Sequence, residues 1–365
     1  MTLSAIAIAA FAAVLGLTTR FHHWQASLAE HMYQQGERAL QSGRAAAAIE
    51  DFRSALAFDR DNFWYQFSLA QSLEAEGRFD EAESYLVNLW ERQPQNGMVN
   101  LQLARLAAHR QLTSQALRYY HNAIYGIWDR DPDQNRRTAR FELIQFLLKQ
   151  NARTQAQSEL IAMEAGLPPD PQLHLKVADL FLQIQDYENA LGQFRQVLQL
   201  DRKNVQAAAG AGEAAFDLGR YRTALRYLEP AVAANHKDEE SARMLETAGL
   251  IIENNPFRRK LSLAERKHRV HTAFQAASLR LNACMQAHGE STSSAGAESS
   301  FQKLYAQEMH LKPKVRSRAL DDPDFQENVM DFVFDTEEET KECGSPSALD
   351  EALLLIGRNR EGAEQ

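Results

Sequence analysis

The sequence predicts an all-α protein, a superhelical solenoid of antiparallel helix pairs capped by a long helix and a small C-terminal helical segment. Three observations carry this. A small residue recurs at a fixed spacing of 34, every apolar pattern has the helical period of 3.6 and none alternates, and only 10 Pro and 17 Gly interrupt 365 residues.

The repeat is read from alanines. Ala48, Ala82 and Ala116 lie 34 apart, as do Ala156, Ala190 and Ala224, with 40 residues between the two sets. Thirty-four residues make one helix–turn–helix unit. Other positions keep the same phase. The first unit has Gly36, Gly43, Phe52 and Ala55, and the second has Ala70, Gly77, Phe79, Leu86, Leu89 and Pro94. Ala104, Tyr120 and Ala123 follow in the third, then Ile144, Leu160, Met163 and Pro168 in the fourth. The fifth has Ala178, Tyr187, Phe194 and Val197, and the sixth Gly212, Gly219, Tyr221, Leu228 and Ala231. Small residues belong where two helices cross, because a larger side chain would hold the axes apart. Gly43, Gly77 and Gly219 fall in the turns, where a positive φ is needed. Pro94 and Pro168 end the second helix of their units.

On these residues, the chain from 29 to 236 resembles six tetratricopeptide repeats, at about 29–62, 63–96, 97–130, 137–170, 171–204 and 205–238. Gln111 and Asn151 replace the turn glycine in the third and fourth, and an insertion around Ile127–Arg136 (IWDRDPDQNR) separates them. The resemblance implies a non-catalytic scaffold that binds polypeptide partners on its inner surface, formed by exposed positions of each first helix. Those positions are Tyr33, Glu37, Trp64, Phe67, Gln71, Arg105, His109, Phe141, Gln145, Lys149, Asp179, Glu213 and Asp217. Aromatics gather towards the N-terminus, bases in the middle, acids towards the C-terminus. The family's clamp for chaperone C-terminal carboxylates needs particular Lys and Asn residues, and here Tyr33, Glu37 and Ser68 stand in their place.

The flanks read separately. Residues 1–24 form an apolar anchor or signal segment, because Leu3–Leu17 carries no charge and Arg20 is the first. At about 1.5 Å each, 15 helical residues reach about 22 Å against a bilayer core of about 30 Å, and Met1–Thr19 comes close to spanning. Membrane attachment through residues 1–19 is therefore expected, with the exported face slightly favoured over the cytoplasmic one, and His22, His23 and Trp24 as an interfacial belt. Residues 239–288 read as a seventh helix pair or cap. Ser262 and Glu265 suit a helix start, and Val270, Phe274, Ala277, Leu281 and Cys284 form one buried face. Residues 289–300 (GESTSSAGAESS) have the composition of a flexible linker. Residues 301–365 form a further helical segment, with Pro313 expected to end its first helix.

A net charge of −9, from 49 acidic and 40 basic side chains, argues against nucleic acid as a partner. Bases crowd 258–271 and acids crowd 321–342. Two solvated faces, attraction between them, or a lipid or glycan site of an envelope or secretion assembly on 258–271 are the alternatives. Gly210 and Gly212 mimic a dinucleotide loop but lie inside a repeat helix. His268 and His271 lack a third ligand. With two cysteines and no Cys-x-x-Cys, no metal site is expected, and neither is a cofactor. Cys284 and Cys343 form a disulfide if the chain is exported, and are otherwise free thiols. No nucleophile context or phosphate loop is found, so the chain is not expected to be an enzyme. A cryptic catalytic module in 301–365 is the remote alternative.

Overall fold

The computed structural model describes residues 2–288 and 299–359, apart from the side chains of residues 2–10, 12 and 13. It divides into two compact units, Met1–Met163 and Glu164–Gln365. The first unit contains four helix pairs: α1 (Thr2–Gln41) with α2 (Ala45–Leu56), α3 (Phe63–Ala75) with α4 (Phe79–Arg92), α5 (Gly97–His109) with α6 (Thr113–Tyr125), and α7 (Pro132–Lys149) with α8 (Arg153–Glu164). The second opens with α9 (Pro171–Gln183) and α10 (Tyr187–Leu200), then α11 (Val205–Asp217) and α12 (Tyr221–Ala234). It continues through α13 (Glu239–Asn254), α14 (Leu263–Ala287), α15 (Ser300–Val315), α16 (Pro323–Thr340) and α17 (Ala348–Arg358). Among the described residues there is no β-strand, only a single bridge between Asn96 and Ile127.

The 34-residue spacing has a physical origin at three positions. Ala48, Ala82, Ala116, Ala156, Ala190 and Ala224 are all fully buried, each on the second helix of its pair. The turn between paired helices holds one residue in the left-handed region every time. Gly43, Gly77 and Gly219 have φ of 74°, 75° and 70°, while Gln111, Asn151 and Gln185 take φ of 60°, 57° and 64°. A side chain there costs about 1 kcal/mol, a strain the surrounding pair absorbs. The third position is the start of the first helix. Asn62, Asn96, Asp170, Asn204 and Asp238 each accept hydrogen bonds from backbone N–H groups two or three residues on. Each such cap stabilises by about 1 kcal/mol.

The insertion displaces one of these caps, so that α7 starts early at Pro132 after Asp131. Trp128 folds back from the inserted loop and its indole N–H donates to the Ala123 carbonyl at 2.9 Å. Its ring lies so close to Gly97 that a β-carbon there would meet it at 2.3 Å. Gly97 is thus required by contact rather than by backbone angle.

The membrane anchor expected at the N-terminus is not found. Part of that segment, Met1 and the side chains of 2–10, lies outside the described residues. Among the described residues, no helix is long and apolar enough to cross a membrane. The charge-free run continues into Arg20, His22 and His23 within the single helix α1, so polar side chains enter before a bilayer's thickness is covered. Membrane localisation, the membrane as a partner and the interfacial belt are all withdrawn. Pro313 does not end its helix either, since α15 runs through it to Val315. The linker composition at 289–298 falls outside the described residues.

In the second unit the C-terminal helices pack onto one another and onto the repeat stack, α17 against α13 and α16 against α14. The charge segregation seen in the sequence is partly internal. Lys267 pairs with Asp321. Arg258 and Arg269 donate to the Ile252 carbonyl at 2.8 and 3.0 Å, and Arg269 also to the Asn255 carbonyl at 3.0 Å. Both guanidinium groups thereby satisfy orphan carbonyls at the end of α13 and favour its negative pole.

Candidate functional site: the inner surfaces of the two units

Within each unit the first helices of successive pairs approach one another: α1 touches α3, α5 touches α7, α9 touches α11, and α11 touches α13. No second helix makes a comparable contact with the next second helix among the described residues. The closer-packed first helices therefore form the inner layer.

In the first unit, a string of polar contacts crosses that layer. Ser68 donates to Glu37 at 2.9 Å and lies 3.5 Å from the Tyr33 hydroxyl. Gln102 donates to Glu74, and Arg105 reaches both Gln102 at 3.2 Å and Glu142, in a bidentate pair at 2.8 and 2.7 Å. Burial pushes the Glu74 carboxyl up to about 7, against the lowering by Gln102 and Arg105. Burial likewise pushes the Tyr120 hydroxyl up to about 12, with the Glu142 charge adding to it. Arg105 is thus committed to a carboxylate of the next pair, a cross-repeat fastening rather than an idle cation.

Trp64 stands at the end of this layer, 49% exposed, beside a cleft of about 590 Å³ that Tyr33, Tyr65, Met98 and Trp128 also line. Gln71 is half-buried, while Gln145, Lys149 and His109 are exposed. The His109 ring lies against Phe79, centroids 4.4 Å apart. Phe67 and Phe141 are corrections to the expected surface. Both are buried, at 4% and 6% exposure, and Phe67 stacks on Phe63 at 5.9 Å. A large aromatic at that point of the first helix is drawn into the apolar seam between pairs.

The second unit has a different inner surface. Asp179 on α9 and Glu213 and Asp217 on α11 have no cation partner among the described residues. Asp179 meets only the Gln206 amide, at 3.4 Å, and Asp217 meets the Tyr187 hydroxyl. Partial burial raises all three carboxyls above the ordinary carboxylate range, and Glu213 is raised further by Asp217, Glu240, Asp179 and Asp238.

Contact also explains the paired glycines of α11 and places the two cysteines. A β-carbon on Gly210 would meet the Phe194 ring at 2.3 Å and one on Gly212 would meet Leu228 at 2.5 Å, so these glycines serve helix packing. Cys284 and Cys343 lie side by side with Cα atoms 5.5 Å apart, inside the span of a disulfide.

The tetratricopeptide-repeat family model matches residues 39–97, in the first unit, and 181–248, in the second. One stretch in each unit is thus similar to that family, the two together about a third of the chain. Such repeats generally mediate protein–protein contact and are generally non-catalytic. Among curated proteins, the chain is 24% identical over 190 residues to the DnaJ homolog subfamily C member 3 of Gallus gallus, a match covering 48% of this chain. It spans only 36% of that relative's length. Among solved structures, it is similar to the C-terminal part of a repeat-containing protein from Cytophaga hutchinsonii at 13% identity, covering 65% of this chain and 92% of that one, with a TM-score of 0.47. It is also similar to Pseudomonas aeruginosa PilF at 17% identity, covering 60% and 96%, with a TM-score of 0.41.

Proposed function

We propose that this chain is a non-catalytic scaffold whose inner surfaces hold extended polypeptide segments, and that the second unit selects a basic one. The observation that carries this reading is the set of unpaired acids, Asp179, Glu213 and Asp217, on consecutive first helices. Partly desolvated carboxylates without counter-charges destabilise the empty protein, and a Lys- or Arg-bearing segment laid across them relieves that cost. Nucleic acid would be repelled by the same surface.

Equilibrium titration of the full chain with labelled Lys/Arg-rich and Glu/Asp-rich peptides of equal length tests it. The basic peptide should bind and the acidic one should not, and affinity should fall as salt rises. The sign with pH follows from the raised carboxyls. They are neutral to a higher pH than ordinary carboxylates, so affinity should increase as pH rises through their raised range and fade as pH falls back towards it. Equal binding of both peptides, or none, would reject the reading.

In the first unit, Trp64 offers a large apolar face in a cleft, the kind of side chain that supplies much of an interface's energy once covered. Trp64→Ala should weaken partner binding by about 2 kcal/mol, roughly 30-fold, with little change in melting temperature. A large fall in melting temperature would place Trp64 in the packing instead.

A further inference from the structure

We propose that in their thiol form Cys284, Cys343 and His288 bind a thiophilic divalent ion of the zinc class, with one coordination position left open. Among the described residues these three form the cluster whose ligand atoms lie within 4.8 Å of one another. Cys284 and His288 are four apart at the end of α14, so a single turn puts both on one face. The His288 Nδ1 atom stands 3.8 Å from the Cys284 sulfur and 3.7 Å from the Cys343 sulfur. In a tetrahedral site with Zn–S of about 2.3 Å and Zn–N of about 2.05 Å, the nitrogen–sulfur edge is about 3.6 Å. The two nitrogen–sulfur edges are thus already at the length such an ion requires; the two sulfurs are joined as a disulfide in this structure, and reduction must part them before the third edge can form.

The arrangement is held from behind. Cys343 follows α16 in a turn where its N–H donates to the Thr340 carbonyl at 2.9 Å. Arg280, one turn before Cys284 on α14, donates to the Thr340 carbonyl at 2.9 Å and to the Cys343 carbonyl at 3.4 Å, fixing that turn against α14. The His288 ring rests on Phe301 at the start of α15, centroids 5.5 Å apart. The ligands thus come from α14 and the end of α16, with α15 backing the imidazole. A cavity of about 460 Å³ opens beside the two cysteines and is lined by Arg280, Leu279, Ser347 and Asp350, giving an ion a way in and room for a water as fourth ligand. Cys284 is buried, Cys343 half-buried and His288 exposed, the gradient of a site at the rim of a packed core.

Two costs are visible. Nδ1 lies 3.0 Å from the Cys284 carbonyl, a contact in which it donates a proton, so ligation must displace that proton. The thiols must lose theirs as well, and affinity should therefore rise with pH. A Cys284–Cys343 disulfide would consume both sulfurs, so the bridge and the ion exclude one another. The site then reports the redox state of its surroundings through which of the two it holds.

The test uses the full chain, reduced with a phosphine, freed of oxygen and titrated with Co(II), then with Zn(II). One Co(II) per chain, a thiolate-to-cobalt charge-transfer band and its loss on adding Zn(II) are expected. His288→Ala should weaken binding at least about tenfold while leaving both thiols and the helical circular dichroism intact. Cys343→Ser should remove most of the charge-transfer band. Absence of the band in wild-type protein with two alkylatable thiols would overturn the proposal. So would sulfurs that reduction cannot release, or a titration unchanged by His288→Ala.

Discussion

Neutralising the acids of the second unit, as Asp179→Asn, Glu213→Gln and Asp217→Asn together, should lower affinity for a basic peptide about 100-fold, or ~2.7 kcal/mol. Shared over three sites this is about 0.9 kcal/mol each, ordinary for a partly exposed charge pair. The same variant should melt higher than wild type when empty. Each carboxyl has its folded pKa raised, so its contribution to stability is lost as pH rises from the ordinary carboxylate value through the raised one. At neutral pH the three are therefore a net burden on the fold, and removing their charge lifts it. Opposite signs for affinity and stability mark a binding surface. A variant that loses both would show that the acids hold the repeats together.

Above about pH 8, where Glu337 is ionised, Arg280→Ala should destabilise the C-terminal helices by about 3–5 kcal/mol, the cost of leaving a buried carboxylate without its counter-charge. Arg280 projects from α14 into a nearly closed site with Glu337 of α16 at 3.6 Å and Asp350 of α17 at 3.2 Å. Glu337 is 2% exposed, and burial pushes its carboxyl up to about 8 even with the guanidinium beside it, Asp350 adding to the rise. With a raised folded pKa, Glu337 costs stability progressively as pH climbs from about 4.5 towards 8. Arg280→Ala should steepen that fall, and Glu337→Gln in the same background should recover much of the loss. Denaturant unfolding across pH, with hydrogen exchange read on α16 and α17, measures both. A variant as stable as wild type at every pH would remove Arg280 as the fastening.

The solenoid was legible because its packing constraint is periodic. A buried alanine at each helix crossing leaves a 34-residue trace that survives changes everywhere else, and the turn glycines mark the same phase. The turn was only half visible. Gln111 and Asn151, at the turn-glycine position of their repeats, adopt the same left-handed angle as the glycines, and so does Gln185, which the sequence does not mark. The capping residues leave a trace of their own: Asn62, Asn96, Asp170, Asn204 and Asp238 keep the repeat phase, broken only where the insertion moves the helix start to Asp131. The surface was read less well. Periodicity separates inner from outer faces, but it did not tell Trp64, left in a cleft, from Phe67 and Phe141, drawn into the seam. Arg105 was read as available for a ligand because its partner, Glu142, lies one repeat on and across an insertion. His288 was missed although its spacing from Cys284 is a single helical turn, because the third ligand comes from 55 residues away.

The central claim is that partners lie on the inner layer of first helices. Site-specific photo-crosslinking tests it most directly, with the reactive group placed in turn at Gln145 and Asp217 on first helices and at Ser84 and Arg226 on second helices. All four side chains are exposed. With a bound basic peptide, adducts should form at Asp217 and be absent at Arg226. With a native partner, they should form at the two first-helix positions only. Adducts of equal yield on the second helices, or confined to them, would contradict the account.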